Sequence, residues 1–182
     1  EVIDTVARAL ERHRPAHVVV DPVMVATSGA RLLEADALDA LRTRLLPLAT
    51  VITPNLPEAE LLLGCRIEDP VGMSQAAAAL RALGAPAVLL KGGHLADGGA
   101  VVDILVDDQG EQRTTHPRLD LDAHGTGCTL ASAVAANLAR GLPLRAACAA
   151  AASPVHPAPP GRHRPRRGEG VVLARRPILP GR

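Results

Sequence analysis

Three short apolar runs, each followed by a polar or charged residue, constrain the fold of this chain more than any other feature. The runs are residues 17–20, 50–53 and 87–90. Asp21 follows the first run directly, and Lys91 follows the third. Runs of this length that are rich in β-branched residues and separated by helical patterns are typical of parallel strands buried on both faces. Because ligands bind beyond the carboxyl ends of such strands, the pattern predicts an α/β fold with a polar site at one sheet edge.

The segments between these runs have the periodicity and the end signals of helices. The predicted helices are Glu34–Leu46, closed by Pro47, then Pro57–Leu63, and Ser74–Leu83, with Ser74 as its N-cap. Val101–Val106 and Glu111–Thr115 are predicted to pair as an antiparallel hairpin. A further helix follows the hairpin and is expected to end at Gly141. This order predicts a mainly parallel sheet flanked by helices.

A glycine-rich stretch, His124–Thr129, lies at the start of that last helix. Its two glycines let the backbone approach a ligand closely, and the free N–H groups of a first helical turn attract phosphate. Cys128 lies in the same turn, where the helix dipole favours the thiolate. Taken alone, the stretch would equally suit an ordinary glycine-rich helix start with a buried cysteine.

Composition excludes several classes of function. The chain contains no Phe, Tyr or Trp, so aromatic stacking on single-stranded nucleic acid is not available. No apolar run approaches the roughly 20 residues of a membrane span. The three cysteines lack CxxC spacing, and His94 and His124 have no partner at metal-ligand spacing. We therefore expect a cytoplasmic protein that binds neither nucleic acid nor membrane, with these histidines in turn or backbone hydrogen bonds.

Charge and proline content divide the chain at residue 152. Residues 153–182 contain seven Arg, one Glu and seven Pro, whereas residues 1–152 are mildly acidic. Such a segment has little capacity for helix or interior strand, and we expect it to be disordered or the product of a shifted reading frame. The alternative is that Arg162–Arg167 forms a basic arm for nucleic acid or an anionic surface.

Lys91 is the only lysine in a chain that otherwise uses arginine for its basic side chains. It stands at a predicted strand end before two glycines, where a compact ammonium group could meet a phosphate oxygen. The alternative is an exposed lysine in a loop.

Four motifs in this order resemble the bacterial hydroxymethylpyrimidine/phosphomethylpyrimidine kinases of thiamine biosynthesis. They are DPVM at 21–24, TPNLPEAE at 53–60, KGGH at 91–94 and HGTGCT at 124–129. The resemblance covers residues 1 to about 152 and implies a ribokinase-like fold. It also implies ATP-dependent phosphorylation of 4-amino-5-hydroxymethyl-2-methylpyrimidine and then of its monophosphate.

The resemblance further implies which residues bind the nucleotide and the metal. Asp21 and Glu58 would lie at the Mg²⁺–phosphate region, holding the ion directly or through water. Asn55 would help to order that region, and Lys91 would contact the phosphates of ATP. From the residues alone, Asp21 could instead be a turn carboxylate, Glu58 an exposed first-turn residue and Asn55 a turn residue.

For the reacting groups, the resemblance implies an anion hole formed by Gly125, Thr126 and Gly127 around the transferring phosphoryl group. Cys128 would be the base that accepts the proton of the substrate hydroxyl. Val23 would line the pyrimidine pocket, although an apolar residue of this kind is more often part of the core.

The resemblance also sets expectations about completeness and alternatives. Members of this family have opening strands and a glycine-rich substrate segment ahead of the first matched motif, so we expect 1–152 to be a partial kinase domain whose sheet is incomplete at the N-terminus. A related pyridoxal-type kinase or a non-catalytic nucleotide-binding remnant are the alternatives. Ribokinase-like proteins often form homodimers, which makes a homodimer a further expectation.

Overall fold

The computed structural model describes residues 1–24, 35–93, 100–117 and 126–152. Within these residues the chain forms one five-stranded sheet with helices on both faces. The strands are β1 (Val19–Val20), β2 (Val51–Ile52), β3 (Val88–Leu90), β4 (Ala100–Asp107) and β5 (Gly110–Pro117). The helices are α1 (Val2–His13), α2 (Ala35–Ala40), α3 (Leu56–Leu63), α4 (Pro70–Ala82), α5 (Thr126–Ala139) and α6 (Leu144–Ala152). None of them is long and apolar enough to cross a membrane.

The strands lie in the order β1, β2, β3, β4, β5. The first three run parallel, so their carboxyl ends meet at one edge of the sheet. β4 runs antiparallel to β3, and β5 returns beside β4 after a turn at residues 108–109. Gly110 follows this turn with a φ of +100°, a conformation that suits glycine. The predicted hairpin and the parallel arrangement of the first three strands are confirmed.

Alternation of side chains along the strands gives the sheet two apolar faces. Val51, Leu89 and Leu105 pack against α5 and α6 on one face. Ile52 and Leu90 point to the opposite face, where they pack with α3 and α4. Because both faces exclude water, strands of only two or three residues are stabilised by burial on two sides.

The helix boundaries agree with the sequence at α3 and differ at α4. α3 ends at Gly64, whose φ of +70° is typical of a helix C-terminus. α4 begins at Pro70, and Asp69 is its N-cap because the Asp69 carboxylate accepts the N–H of Gly72 at 2.6 Å. The predicted N-cap, Ser74, was therefore wrong, since it lies one turn inside the helix. The missed signal was a capping Asp followed by Pro at the first helical position.

The helical segment predicted to end at Pro47 continues past it. α2 widens into a π-helical turn over Leu41–Leu45 and then tightens into a 3₁₀ turn over Leu46–Leu48. Pro47 fits there because the first residues of a helical turn need no N–H partner. The backbone becomes extended at Ala49, immediately before β2.

An ion pair joins α6 to the end of the hairpin. Arg145 Nε donates to Asp107 Oδ2 at 2.8 Å, and a second guanidinium nitrogen donates to Asp107 Oδ1 and to the Gly110 carbonyl oxygen. The hydrogen bonds from Arg145 lower the pKa of Asp107. The ion pair between Arg145 and Asp107 therefore stabilises the fold above the ordinary pKa of Asp. This contribution is lost as the pH falls through the lowered pKa of Asp107.

Candidate functional site

The carboxyl ends of β2 and β3 hold Lys91 in a fixed backbone position. Its N–H donates to the carbonyl oxygen of Pro54 at 2.9 Å. Asn55 and Lys91 also form an isolated parallel bridge, which extends the pairing beyond the strands. Asp21 follows β1 at the same edge of the sheet. The juxtaposition expected of parallel strand ends is therefore present.

An ion pair joins the ends of β1 and β3. Lys91 Nζ lies 3.0 Å from Asp21 Oδ1, and the two side chains are only 13% and 14% exposed. The hydroxyl of Thr53, at the end of β2, donates to the same carboxylate oxygen at 3.0 Å. The alternative of an exposed loop lysine is wrong, and Asp21 does more than end a turn.

The start of α5 lies directly against this ion pair. A methyl group at residue 127 would lie 2.9 Å from Lys91 Nζ and 3.9 Å from Asp21 Oδ2, so Gly127 leaves the space that the ammonium group needs. Thr126 is the first residue of α5. Gly125, His94 and His124 lie outside the described residues, as does the Thr126 side chain. The first turn of α5, with its N–H groups unpaired within the helix, thus borders Asp21 and Lys91.

Cys128 is exposed, and its thiol is hydrogen-bonded to Asp21. Partial loss of hydration raises the pKa of this thiol, and the Asp21 carboxylate raises it further, while Lys91 lowers it. The thiol pKa is thus raised overall, so the expectation that the helix start favours the thiolate was wrong. Desolvation is the largest cause of the raised pKa, and the Asp21 carboxylate adds to it because a full negative charge disfavours a second one.

Glu58 and Asn55 form a capping box at the start of α3. Asn55 Oδ1 accepts the N–H of Glu58 at 2.9 Å, and Glu58 Oε2 accepts the N–H of Asn55 at 2.8 Å. Glu58 is 3% exposed, so its interpretation as an exposed first-turn residue was wrong. Burial raises the pKa of Glu58, Asp21 adds to that rise, and Lys91 opposes it. Asn55 therefore has a structural role as the N-cap of α3, in line with the structural alternative that its sequence context allowed.

Val23 and Met24 complete the DPVM motif beyond β1. Met24 is buried, whereas 46% of the Val23 side chain is exposed. The interpretation of Val23 as an ordinary core residue was therefore wrong. An exposed apolar side chain two residues from Asp21 is compatible with a pocket wall.

Comparison with known proteins identifies the family. Residues 1–172 match the family model described as phosphomethylpyrimidine kinase. The chain belongs to the phosphomethylpyrimidine kinase family. It is 51% identical over 142 residues to the hydroxymethylpyrimidine/phosphomethylpyrimidine kinase of Streptomyces coelicolor. The matched residues are 78% of this chain and 52% of that protein. It is 52% identical over 152 residues to the thiamine biosynthesis bifunctional protein of Geobacter sulfurreducens, covering 83% of this chain and 31% of that protein.

Solved structures agree with the family and with the predicted ribokinase-like fold. Phosphomethylpyrimidine kinase from Clostridium difficile has a TM-score of 0.70 and 37% identity, covering 82% of this chain and 60% of that one. Pyridoxal kinase from Staphylococcus aureus in complex with AMP-PCP has a TM-score of 0.75 and 34% identity. The match covers 82% of this chain and 55% of that one. The chain thus spans about half the length of the Streptomyces coelicolor kinase.

The phosphomethylpyrimidine kinase resemblance implies Mg²⁺, and the side chains fit this ion in part. No group of three or more His, Cys, Asp or Glu residues suited to a metal occurs in the part of the chain that the structure describes. Asp21 and Glu58 supply two carboxylates, and the charges of both Asp21 and Lys91 act on the pKa of Glu58. Mg²⁺ is usually bound by one or two carboxylates together with water and substrate phosphates. The donor set therefore fits an ion that arrives with a phosphate ligand.

Two buried polar residues near this candidate site were missed by the sequence analysis. Thr53 is completely buried and donates to Asp21. Asp103 on β4 is 4% exposed and accepts the N–H of Gly92 at 2.9 Å. The signal for Thr53 was a hydroxyl at the end of an apolar run. For Asp103 it was a carboxylate inside an otherwise apolar strand, where an unpaired charge would be costly.

Replacing Glu58 with Gln is expected to stabilise the fold near neutral pH. The raised pKa means that the folded protein binds a proton more tightly than the unfolded chain. The protonated Glu58 carboxyl therefore stabilises the fold below its ordinary pKa of 4.5, and this contribution is lost as the pH rises through the raised pKa of the folded protein. Glutamine keeps an acceptor for the Asn55 N–H and has no charge to bury. We expect a thermal midpoint above that of the unmodified protein at pH 7, and a difference that vanishes below about pH 4.

The matched control is Glu60→Gln on the same helix, whose carboxylate pairs with the exposed Arg66 side chain. It should give no stabilisation at pH 7. A Glu58→Gln protein that melts below the unmodified protein at pH 7 would show that the charge of Glu58 is itself stabilising.

Proposed function

We propose that this chain is part of a kinase that transfers a phosphoryl group from ATP to 4-amino-5-hydroxymethyl-2-methylpyrimidine and then to the resulting monophosphate. One observation carries the proposal: the part-buried Lys91–Asp21 ion pair lies against the first turn of α5 in a chain of this family. Phosphoryl transfer depends mainly on positioning and charge stabilisation, and a lysine beside a helix N-terminus supplies both.

In this proposal the phosphates of ATP bind between Lys91 and the first turn of α5. An incoming phosphate oxygen competes with Asp21 Oδ1 for Lys91 Nζ, and these two atoms lie 3.0 Å apart in the structure. Gly125, Thr126 and Gly127 surround the transferring phosphoryl group with backbone N–H groups. A side chain at residue 127 would displace Lys91 Nζ from its position, so Gly127 leaves room for the ammonium group beside the helix start.

Asp21 and Glu58 are proposed to hold Mg²⁺, directly or through water. The ion would neutralise charge on the phosphates when it is bound. Asn55 fixes Glu58 through the capping box, so the start of α3 positions one of the two carboxylates. Asp21, Glu58 and Lys91 then share one site, in which each charged group has a neighbour of opposite charge.

Cys128 is proposed to accept the proton of the substrate hydroxyl. Its hydrogen bond to Asp21 places the thiol beside the ion pair, and Val23 offers an exposed apolar surface for the pyrimidine nearby. A cation at Asp21 would counter the charge that raises the pKa of the thiol. The second phosphorylation needs no such base, because its acceptor is an anionic phosphate oxygen.

Pyridoxal is the second candidate acceptor, because pyridoxal kinases have TM-scores as high as the phosphomethylpyrimidine kinase in this comparison. The phosphate site described above does not itself select the acceptor. The 39–51% identity to kinases named for hydroxymethylpyrimidine favours the pyrimidine, since the pyridoxal kinases are 34–36% identical. A nucleotide-binding protein without activity is the remaining alternative, and homodimerisation stays a prediction.

The test is the steady-state release of ADP by the complete gene product that contains this chain. The pyrimidine alcohol, its monophosphate and pyridoxal are each supplied with Mg-ATP. We expect the highest kcat/KM with the two pyrimidines. Release of ADP with pyridoxal alone would replace the proposed acceptor, and nucleotide binding without turnover on any of the three would leave the non-catalytic alternative.

A further inference from the structure

Asp103 is a buried carboxylate that the proposed reaction does not use. It lies on β4 and is 4% exposed. Its Oδ1 accepts the N–H of Gly92 at 2.9 Å, and its Oδ2 lies 3.0 Å from Nε2 of His116 on β5. Both carboxylate oxygens therefore have partners, and one of these partners is the residue that follows Lys91.

The backbone at Gly92 is pressed against β4. A methyl group at residue 92 would lie 2.0 Å from the carbonyl oxygen of Val102, a distance that no side chain can occupy. Glycine is thus required at this position by the approach of the neighbouring strand. The same close approach brings the Gly92 N–H within reach of Asp103.

Lys91 is consequently held from two sides. On the side of β2, its own N–H donates to Pro54. On the side of β4, Asp103 holds the next peptide unit. A backbone that is fixed on both sides directs the side chain of Lys91 towards Asp21 and the start of α5.

We propose that Asp103 is a positioning residue that aims the Lys91 ammonium group at the phosphate site. The hairpin β4–β5 thereby takes part in nucleotide binding without contacting the nucleotide. The contribution to nucleotide affinity rests on the proposed function, whereas the placement of Lys91 does not.

Asp107 offers a matched control on the same strand. It is also an aspartate of β4 and is similarly buried, at 5% exposed, but its partners are Arg145 and the N–H of Gln109. Replacing it removes a buried carboxylate without changing any contact of Lys91 or Gly92. A purely structural role for Asp103 would make the two replacements equivalent.

The experiment uses the fact that Lys91 is the only lysine of the 182-residue chain. Labelling with ¹⁵N,¹³C-lysine gives one side-chain NMR signal, which reports the surroundings of the Lys91 ammonium group. Signals are compared for the unmodified chain, Asp103→Ala, Asp103→Asn and Asp107→Ala. Calorimetry with Mg-ATP on the same proteins gives the dissociation constants.

Asp103→Ala should shift the lysine signal towards that of a solvated lysine and raise the dissociation constant for Mg-ATP by about tenfold, the effect of losing one charge-assisted hydrogen bond. Asp103→Asn keeps an oxygen acceptor for the Gly92 N–H, so its signal should stay close to that of the unmodified chain. Asp107→Ala should leave the signal unchanged and the dissociation constant within about twofold. If Asp103→Ala does not fold, Asp103→Val takes its place, because a β-branched residue suits a strand and valine offers no acceptor to the Gly92 N–H.

An unchanged lysine signal in a folded Asp103→Ala or Asp103→Val protein would overturn the proposal. An equal change in Asp107→Ala would do the same, as would a full loss in Asp103→Asn. The outcome is separable from the proposed function, since the lysine signal is read without nucleotide. A chain that binds no Mg-ATP would refute the nucleotide site while the signal still tested the positioning of Lys91.

Discussion

Replacing Cys128 with Ser is expected to slow phosphorylation of the pyrimidine alcohol by about 10²–10⁴-fold in the complete gene product. Serine is a far weaker base than a thiolate, so it cannot take up the hydroxyl proton at neutral pH. Phosphorylation of the monophosphate should be nearly unchanged, because that acceptor is already ionised. The two steps are measured separately by quenching the reaction and quantifying both phosphorylated products.

The pH dependence gives a second readout of the same group. The raised pKa of Cys128 predicts that the first step gains rate as the pH rises through the thiol value, whereas the second step lacks this dependence. Cys65→Ser is the matched control, since Cys65 is also exposed but lies just beyond the C-cap of α3. It should leave both steps unchanged. Equal slowing of both steps in Cys128→Ser would indicate a disturbed anion hole, and no slowing of either would refute the role as base.

Replacing Lys91 with Met is expected to lower kcat by about 10²–10³-fold or more and to weaken Mg-ATP binding. Methionine retains much of the side-chain volume but supplies no charge to the phosphates. It also leaves Asp21 without its ion-pair partner and removes the charge that lowers the pKa of Cys128. The loss should therefore affect both phosphorylation steps, unlike the loss in Cys128→Ser. Steady-state kinetics and calorimetry with Mg-ATP provide the two measurements.

Two further variants separate charge from geometry at this position. Lys91→Arg keeps the positive charge but presents a planar fork in a space bounded by Gly127, so we expect it to recover only part of the activity. Arg66→Met is the control for losing a basic side chain elsewhere, because its ion pair with Glu60 is exposed. Unchanged nucleotide affinity in a folded Lys91→Met protein would remove Lys91 from the site.

The sequence located the site through the parallel strand ends. Asp21 and Lys91 could be placed at one edge because a short apolar run preceded each, and Gly127 because it opened a helical pattern. These inferences use only local periodicity and the common direction of parallel strands.

What the sequence could not predict depends on contacts between distant segments. The burial of Glu58 depends on the tertiary fold, and the raised pKa of Cys128 depends on desolvation and on the Asp21 carboxylate. Thr53 and Asp103 act through hydrogen bonds to partners whose positions require the tertiary fold. The early start of α4 was a different kind of error, since Asp69 was a local signal that was overlooked.

The order of the strands has a consequence for the time at which the site forms during folding. Asp21, Lys91 and Gly127 are separated by more than a hundred residues of chain from first to last, yet they meet around one ammonium group. Contacts between such distant segments form slowly, because a long loop must close before they become stabilising. During synthesis β1 and β3 can each pair with β2 early, whereas α5 emerges from the ribosome after all three strands. A nascent chain should thus acquire its sheet before it acquires affinity for phosphate.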